Sequence, residues 1–213
     1  MIKHVFLDFN GTLINDIDLC LDLLNEFLND QNKPSITKQR YKEIFTFPIK
    51  DYYRAAGIDF NIESYESLAI KFIQKYQPAS LKCGLFDCVV PTLKKLKEKN
   101  IKIYLLSASE KHNLTEQCIS YDIAKYFDAI LGIDNIHAES KTKIGIDFIK
   151  NNKIDVSEAV FIGDTLHDFE TANAMNISCR LVKCGHQDLD RLKKANVKIY
   201  DDISGILEEI WFL

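Results

Sequence analysis

The feature that most constrains this chain is a recurring alternation of short apolar runs with longer amphipathic stretches. Five runs read as buried strands, at residues 4–8, 102–107, 129–132, 159–164 and 178–183. Helical patterns fall between or after them, at 91–99, 141–151 and 168–176. Leu93 and Leu96 share an apolar face in the first, and Ile144, Phe148 and Ile149 in the second. Buried strands separated by amphipathic helices predict a parallel sheet with helical crossovers, an α/β fold. Two closing helices are expected at 187–195 and 202–210, around a short strand at 197–200.

The alternation breaks between residues 14 and 80. Residues 16–30 carry a helical apolar stripe through Leu19, Leu23 and Phe27, and 38–45, 49–56 and 64–75 also read as helices. Pro34, Pro48, Gly57 and Pro78 are read as punctuation between them. The chain of 213 residues is therefore expected to divide into an α/β core, residues 1–13 and 81–213, and a helical insertion at 14–80. A net charge of −4 argues against non-specific nucleic-acid binding. No apolar run reaches the roughly 18 residues a membrane helix needs. Cys20, Cys83, Cys88, Cys118, Cys179 and Cys184 are scattered and lack paired zinc spacing, so they read as free thiols of a cytoplasmic protein. Neither a nucleic-acid nor a membrane partner is expected.

In an open α/β sheet, ligands bind beyond the carboxyl ends of the strands. The first strand ends in Asp8-Phe9-Asn10-Gly11-Thr12, the second in Ser107-Ala108-Ser109, and the fourth in Gly163-Asp164-Thr165-Leu166-His167-Asp168. Lys141 opens the helix after the third. Each residue also has a plain structural reading: Asp8 as an exposed strand-end acid, Ser107 with Glu110 as a capping box, Asp168 as an N-cap. Lys141 and Lys143 stand in a first helical turn, where the dipole disfavours cations and a nearby anion would offset it.

Taken together and in order, these motifs resemble the haloacid dehalogenase-like hydrolase superfamily. The aspartate motif is Asp8 to Thr12, the hydroxyl motif Ser107 after Ile103-Tyr104-Leu105-Leu106, the lysine Lys141, and the final acidic motif Gly163, Asp164 and Asp168. The resemblance covers nearly the whole chain. The insertion is similar to the helical cap of the phosphoglycolate phosphatase-like branch, including Phe47 to Tyr53 and Gly57-Ile58. It implies a Rossmann-like core with a helical cap, and phosphoryl transfer from a small phosphorylated metabolite through an aspartyl-phosphate. Asp8 would be the nucleophile. Mg²⁺ would be held by the Asp8 and Asp164 carboxylates and the Asn10 backbone carbonyl, with Asp168 binding or orienting its shell. Thr12, Ser107, Ala108 and Lys141 would hold the phosphoryl oxygens. Phe47, Lys50, Tyr52, Tyr53 and Arg54 are candidates for touching the rest of the substrate or for packing the cap. The protein is expected as a monomer or homodimer.

Asn10 departs from the pattern. Phosphatases of the family usually carry Asp there, as general acid and then general base. A carboxamide cannot exchange that proton, and the step it serves is typically worth about 10²–10⁴-fold. Good leaving groups, such as a phosphoanhydride, acyl phosphate or aryl phosphate, would suffer least. Four alternatives stand: a phosphatase that tolerates Asn10, with His167 as a conceivable substitute base; a phosphonate hydrolase using a cap lysine among Lys33, Lys38, Lys42 and Lys50; a weakened phosphate-binding or regulatory protein; or an engineered or deamidated Asp. His4, His112, His137 and His186 lack metal-ligand spacing and are read as structural or surface residues.

Overall fold

The computed structural model describes residues 1–133 and 140–211. Six parallel strands form one sheet in the order β3-β2-β1-β4-β5-β6, from β1 (His4–Leu7), β2 (Lys102–Glu110), β3 (Ala129–Ile133), β4 (Ala159–Gly163), β5 (Ser178–Val182) and β6 (Ile199–Tyr200). This is the Rossmann-like strand order, in which the crevice opens where the order reverses. Here β1 and β4 are that pair, in register from His4 against Ala159 to Leu7 against Ile162. Asp8 and Asp164, one residue beyond each strand, are therefore neighbours.

The alternation within the strands explains the layers. Val5 and Leu7 face one core with Leu93, Leu96 and Leu114. Phe6 and Phe161 face the other with Ile149, Ala172 and Met175. The first layer is built by α5 (Val89–Glu98), α6 (Lys111–Ser120) and α10 (Ile206–Trp211), and the second by α7 (Lys141–Asn152) and α8 (Leu166–Ala174). The segment predicted as helix at 187–195 splits into α9 (Leu189–Leu192) and a 3₁₀ turn, Lys193–Ala195. No helix among the described residues is long and apolar enough to cross a membrane.

Four helices lie between β1 and α5: α1 (Ile17–Asp30), α2 (Lys38–Ile44), α3 (Ile49–Ala56) and α4 (Tyr65–Ser80). They bury a cluster of their own, including Leu24, Phe27, Tyr41, Phe45, Tyr53 and Leu68. α3 closes on Gly57, whose left-handed φ of 109° suits a residue without Cβ. Pro78 does not end α4, contrary to its reading as punctuation. It lies in the last turn, so the N–H it lacks interrupts the hydrogen-bond ladder only near the end of the helix.

Three expectations are corrected. α6 was not anticipated, because its mixed sequence KHNLTEQCIS lacks a clear apolar stripe. Ser107 is a strand residue, and Glu110 caps α6 by accepting from the His112 and Asn113 amides. Asp168 is not an N-cap: Thr165 holds that position, and Asp168 completes its capping box three residues in.

Candidate functional site

The strand-end residues meet at a cavity of about 420 Å³ between the sheet and the helical insertion. Asp8, Asn10, Ser107, Ala108, Lys141, Asp164 and Asp168 all line it. Gly11 makes the close turn after β1. Its φ is +71°, and a Cβ there would meet the Asp164 carboxylate at 2.5 Å.

Lys141 is buried at the centre of the acidic side. Its Nζ donates to Asp8 Oδ1 at 2.8 Å and to Asp168 Oδ1 at 2.5 Å. Burial opposes a charged lysine, but the two carboxylates outweigh it and raise its pKa above the ordinary value. The unfavourable first-turn position is thus offset by anions on two other elements.

Asp168 is held at both ends. Its second oxygen accepts from the Asp164 amide, the Thr165 amide and the Thr165 hydroxyl at 3.1, 2.9 and 2.7 Å. Burial pushes its pKa up, but Lys141 and these donors leave it below the usual carboxylate value. Its geometry is that of a residue orienting Lys141 and the 164–165 backbone. Asp164 accepts from the Thr12 hydroxyl at 3.0 Å and the His186 amide at 2.6 Å. Thr12 is fully buried and spends its hydroxyl on Asp164, outside the lining of the cavity.

Asp8, Asp164 and Asp168 can each offer an oxygen within 4.8 Å of the others. One lysine faces three acids. Burial, with the neighbouring acids, pushes Asp8 well above the usual carboxylate range and Asp164 to about 6, Lys141 and His186 respectively working against the rise. An all-oxygen donor set with excess negative charge fits a hard divalent cation.

A second network adjoins it. The Asn10 carboxamide donates to Asp16 Oδ2 at 2.9 Å and to the Tyr76 hydroxyl at 2.5 Å, and accepts from Ser109 Oγ at 3.1 Å. Tyr76 donates to the same Asp16 oxygen at 2.6 Å. The other Asp16 oxygen accepts from the Gly11 amide at 3.0 Å and lies 3.2 Å from His186 Nε2. The Tyr41 hydroxyl sits 2.8 Å from His186 Nδ1. Burial drives an imidazole neutral, but Asp16 outweighs it and His186 is raised above the ordinary histidine pKa. Burial likewise opposes ionising Asp16, but His186, Tyr76 and Asn10 hold it below the usual value.

Sequence reasoning missed Asp16, Tyr41, Tyr76 and His186. His186 is buried and lines the cavity, so of its two readings, structural or surface, burial excludes the second. The Asp16 side chain makes no cap to α1, a departure invisible in the sequence. His167 does not line the cavity. Its ring stacks on Phe47 at 4.6 Å and faces Glu170. Phe47, Tyr52 and Tyr53 line the cavity, whereas Lys50 and Arg54 lie over Phe60. His137 lies outside the described residues.

A family profile described as haloacid dehalogenase-like hydrolase matches residues 5–182. Phosphoglycolate phosphatase 1 of Pseudomonas aeruginosa is 21% identical over 191 residues, covering 86% of this chain and 70% of that protein. Pyrophosphatase PpaX of Anoxybacillus flavithermus is 22% identical over 171 residues, covering 78% and 77%. A haloacid dehalogenase-like family hydrolase from Streptococcus pneumoniae superposes with a TM-score of 0.83 at 17% identity, covering 98% of each chain. That last likeness is one of fold.

Proposed function

The chain belongs to the haloacid dehalogenase-like hydrolase family, and from that premise we propose that it is a Mg²⁺-dependent phosphatase acting on a small phosphorylated metabolite through Asp8. Relatives that hydrolyse phosphoglycolate or pyrophosphate by name support the reaction class. The observation that carries the reading is Lys141 bridging Asp8 and Asp168 in a buried, acid-rich pocket at the end of β1.

Asp8 is the nucleophile. Lys141 holds Oδ1, no described donor reaches Oδ2, and that free oxygen is the one placed to attack phosphorus. Lys141 also offsets the repulsion between a carboxylate and a phosphoryl group. Ser107 and Ala108 face the same volume and supply neutral contacts to the phosphoryl oxygens. Asp8, Asp164 and the Asn10 carbonyl would hold Mg²⁺, which when bound neutralises charge on the transferring group. Asp168 positions Lys141, and Thr12 positions Asp164. The insertion acts as a cap that excludes water.

Asn10 holds no exchangeable acid proton, and its carboxamide is already committed to Asp16, Tyr76 and Ser109. The substrate's leaving group therefore departs with little protonation. The phosphonate alternative lacks support: among the described residues, no lysine of the helical insertion lines the cavity.

Phosphate release should require Mg²⁺, stop with a chelator, and fall at least about 10³-fold in Asp8→Asn. Mass spectrometry of the wild-type chain under turnover should find phosphate on Asp8. No release from a broad panel of esters and anhydrides, with no labelled Asp8, would overturn the proposal.

A further inference from the structure

The cavity has two chemically opposite ends. Apart from Asp16, which is paired with His186, charge lies on the strand-end side. The wall contributed by the insertion is mainly aromatic and aliphatic: Phe45, Phe47, Tyr53, Tyr65, Phe72 and Ile73 line it, with Gln77 as a neutral polar neighbour. Among the described residues, Lys141 is the only lysine or arginine in the lining, and it is committed to Asp8 and Asp168. The cationic side chains of α3 are not part of the lining: Lys50 lies over the Phe60 and Tyr65 rings, and Arg54 over Phe60. The one cation left, His186, is paired with Asp16. Glu110 is also among the lining residues, with its carboxylate spent on capping α6.

A substrate body carrying its own carboxylate or second phosphate would face this wall without a counter-charge. Burying an unpaired anion is costly. A flat uncharged ring would instead meet aromatic faces, with Phe72 stacked on Tyr76 at 5.2 Å and 15°, an arrangement that favours ring–ring contact. Asn10 independently selects the same chemistry. Without a carboxylic acid at that position, the best substrates are those whose leaving oxygen departs as an anion. A phenol meets that need, with an acidity near that of tyrosine, about 10. Phosphoanhydrides and acyl phosphates also leave readily, but their departing fragments are a phosphate or a carboxylate directed at the apolar wall.

Resting on the phosphatase reading above, we propose that the substrate is an aryl phosphate monoester with an uncharged body, its ring held by the aromatic wall of the insertion. In the reaction the Asp8 oxygen forms a bond to phosphorus, the phosphorus–aryl oxygen bond breaks, and the phenoxide leaves with the electron pair. Water then cleaves the aspartyl-phosphate to hydrogen phosphate and the Asp8 carboxylate; one of its protons stays on the phosphate and the other goes to the phenoxide.

The test compares kcat/KM for phenyl, 1-naphthyl and 4-carboxyphenyl phosphate, 2-phosphoglycolate and pyrophosphate, with Mg²⁺. 4-Carboxyphenyl phosphate has the better leaving group, so intrinsic reactivity favours it and only the wall disfavours it. Phenyl and 1-naphthyl phosphate should exceed it by at least about tenfold, and exceed phosphoglycolate and pyrophosphate further. Equal or faster turnover of 4-carboxyphenyl phosphate, or a preference for phosphoglycolate or pyrophosphate, overturns the proposal. Calorimetry supplies a readout free of turnover: phenylphosphonate should bind more tightly than phosphonoacetate. That binding preference without any turnover would sink the phosphatase reading while leaving the ring site standing. The reverse preference sinks the ring site even if every ester is hydrolysed. Ile73 is 57% exposed on α4, so Ile73→Lys should fold and place an ammonium on the wall. It should shift the phenyl to 4-carboxyphenyl ratio toward the carboxylate by about tenfold, and an unchanged ratio refutes the assigned wall.

Discussion

Asp8, Asp164 and Asp168 on one side of Gly11, and Asp16, Cys20 and His186 on the other, each place three metal-capable groups within 4.8 Å of one another. The two clusters differ in how their charge is met. The first sets three carboxylates against one lysine, and two of the three are pushed upward in pKa. In the second, a single carboxylate accepts from Asn10, Tyr76 and Gly11, and from His186 by charge and hydrogen bond. A cluster left with surplus charge gains from a cation. One that is already satisfied gains nothing, and works as a rigid brace between the strand end and the insertion. Proximity of ligand atoms therefore does not by itself distinguish a metal site from a structural network; charge balance does.

That comparison can be broken most directly by deleting one acid from each cluster. Asp16→Ala leaves His186 buried without its partner and should cost about 3–5 kcal/mol of stability in chemical denaturation. Asp164→Asn removes surplus charge instead. Without metal, it should leave stability unchanged or raise it by roughly 1–2 kcal/mol at pH 7.5, while weakening stabilisation by Mg²⁺. Loss of several kcal/mol in both variants would erase the distinction.

The pH dependence sharpens it. Asp164 is raised in the folded state to about 6, so its ionisation works against folding above that value. This cost is relieved as pH falls from about 6 towards the unfolded carboxylate value near 4. Mg²⁺ binds the ionised form, so the rise in Tm on adding it should be largest near pH 7.5 and shrink towards pH 5. A pH-independent Mg²⁺ effect would place the cation elsewhere.

Asn10→Asp is the subtler intervention. It sets a carboxylate 2.9 Å from Asp16 Oδ2, and the two acids cannot both ionise comfortably. Stability at pH 8 should fall by about 1–3 kcal/mol, and kcat should not rise. A kcat rising more than tenfold with poor leaving groups would show that the site lacks only its acid. Tyr76→Phe removes the hydroxyl that donates to Asp16 and accepts from Asn10, and should cost about 1–2 kcal/mol, by thermal melts with and without Mg²⁺.

Much of the acidic end of the cavity was legible beforehand because its residues are local to strand ends. Asp8, Ser107 and Asp164 follow buried apolar runs, and parallel pairing brings such ends to one rim whatever the loops do. Lys141 was marked by an electrostatic misfit in a first helical turn. The roles within that set were less legible. Thr12 points to Asp164 and not to the cavity, and Asp168 spends both oxygens on protein donors, because side-chain direction depends on the partners that arrive.

The amino-acid sequence by itself determined the alternation that makes a parallel sheet, the four-helix interruption after β1, and the acids and lysine at the rim, since periodicity and strand-end composition act over a few residues. Only the tertiary structure decided what surrounds them. Asp16 meets His186 across 170 positions and Tyr76 across 60, and the aromatic wall draws on α2, α3, α4 and the segment between α2 and α3. Such contacts depend on how helices pack over the sheet, a long-range outcome that no local pattern encodes. That packing leaves Asn10 held in a network and the insertion's side of the cavity lined with rings.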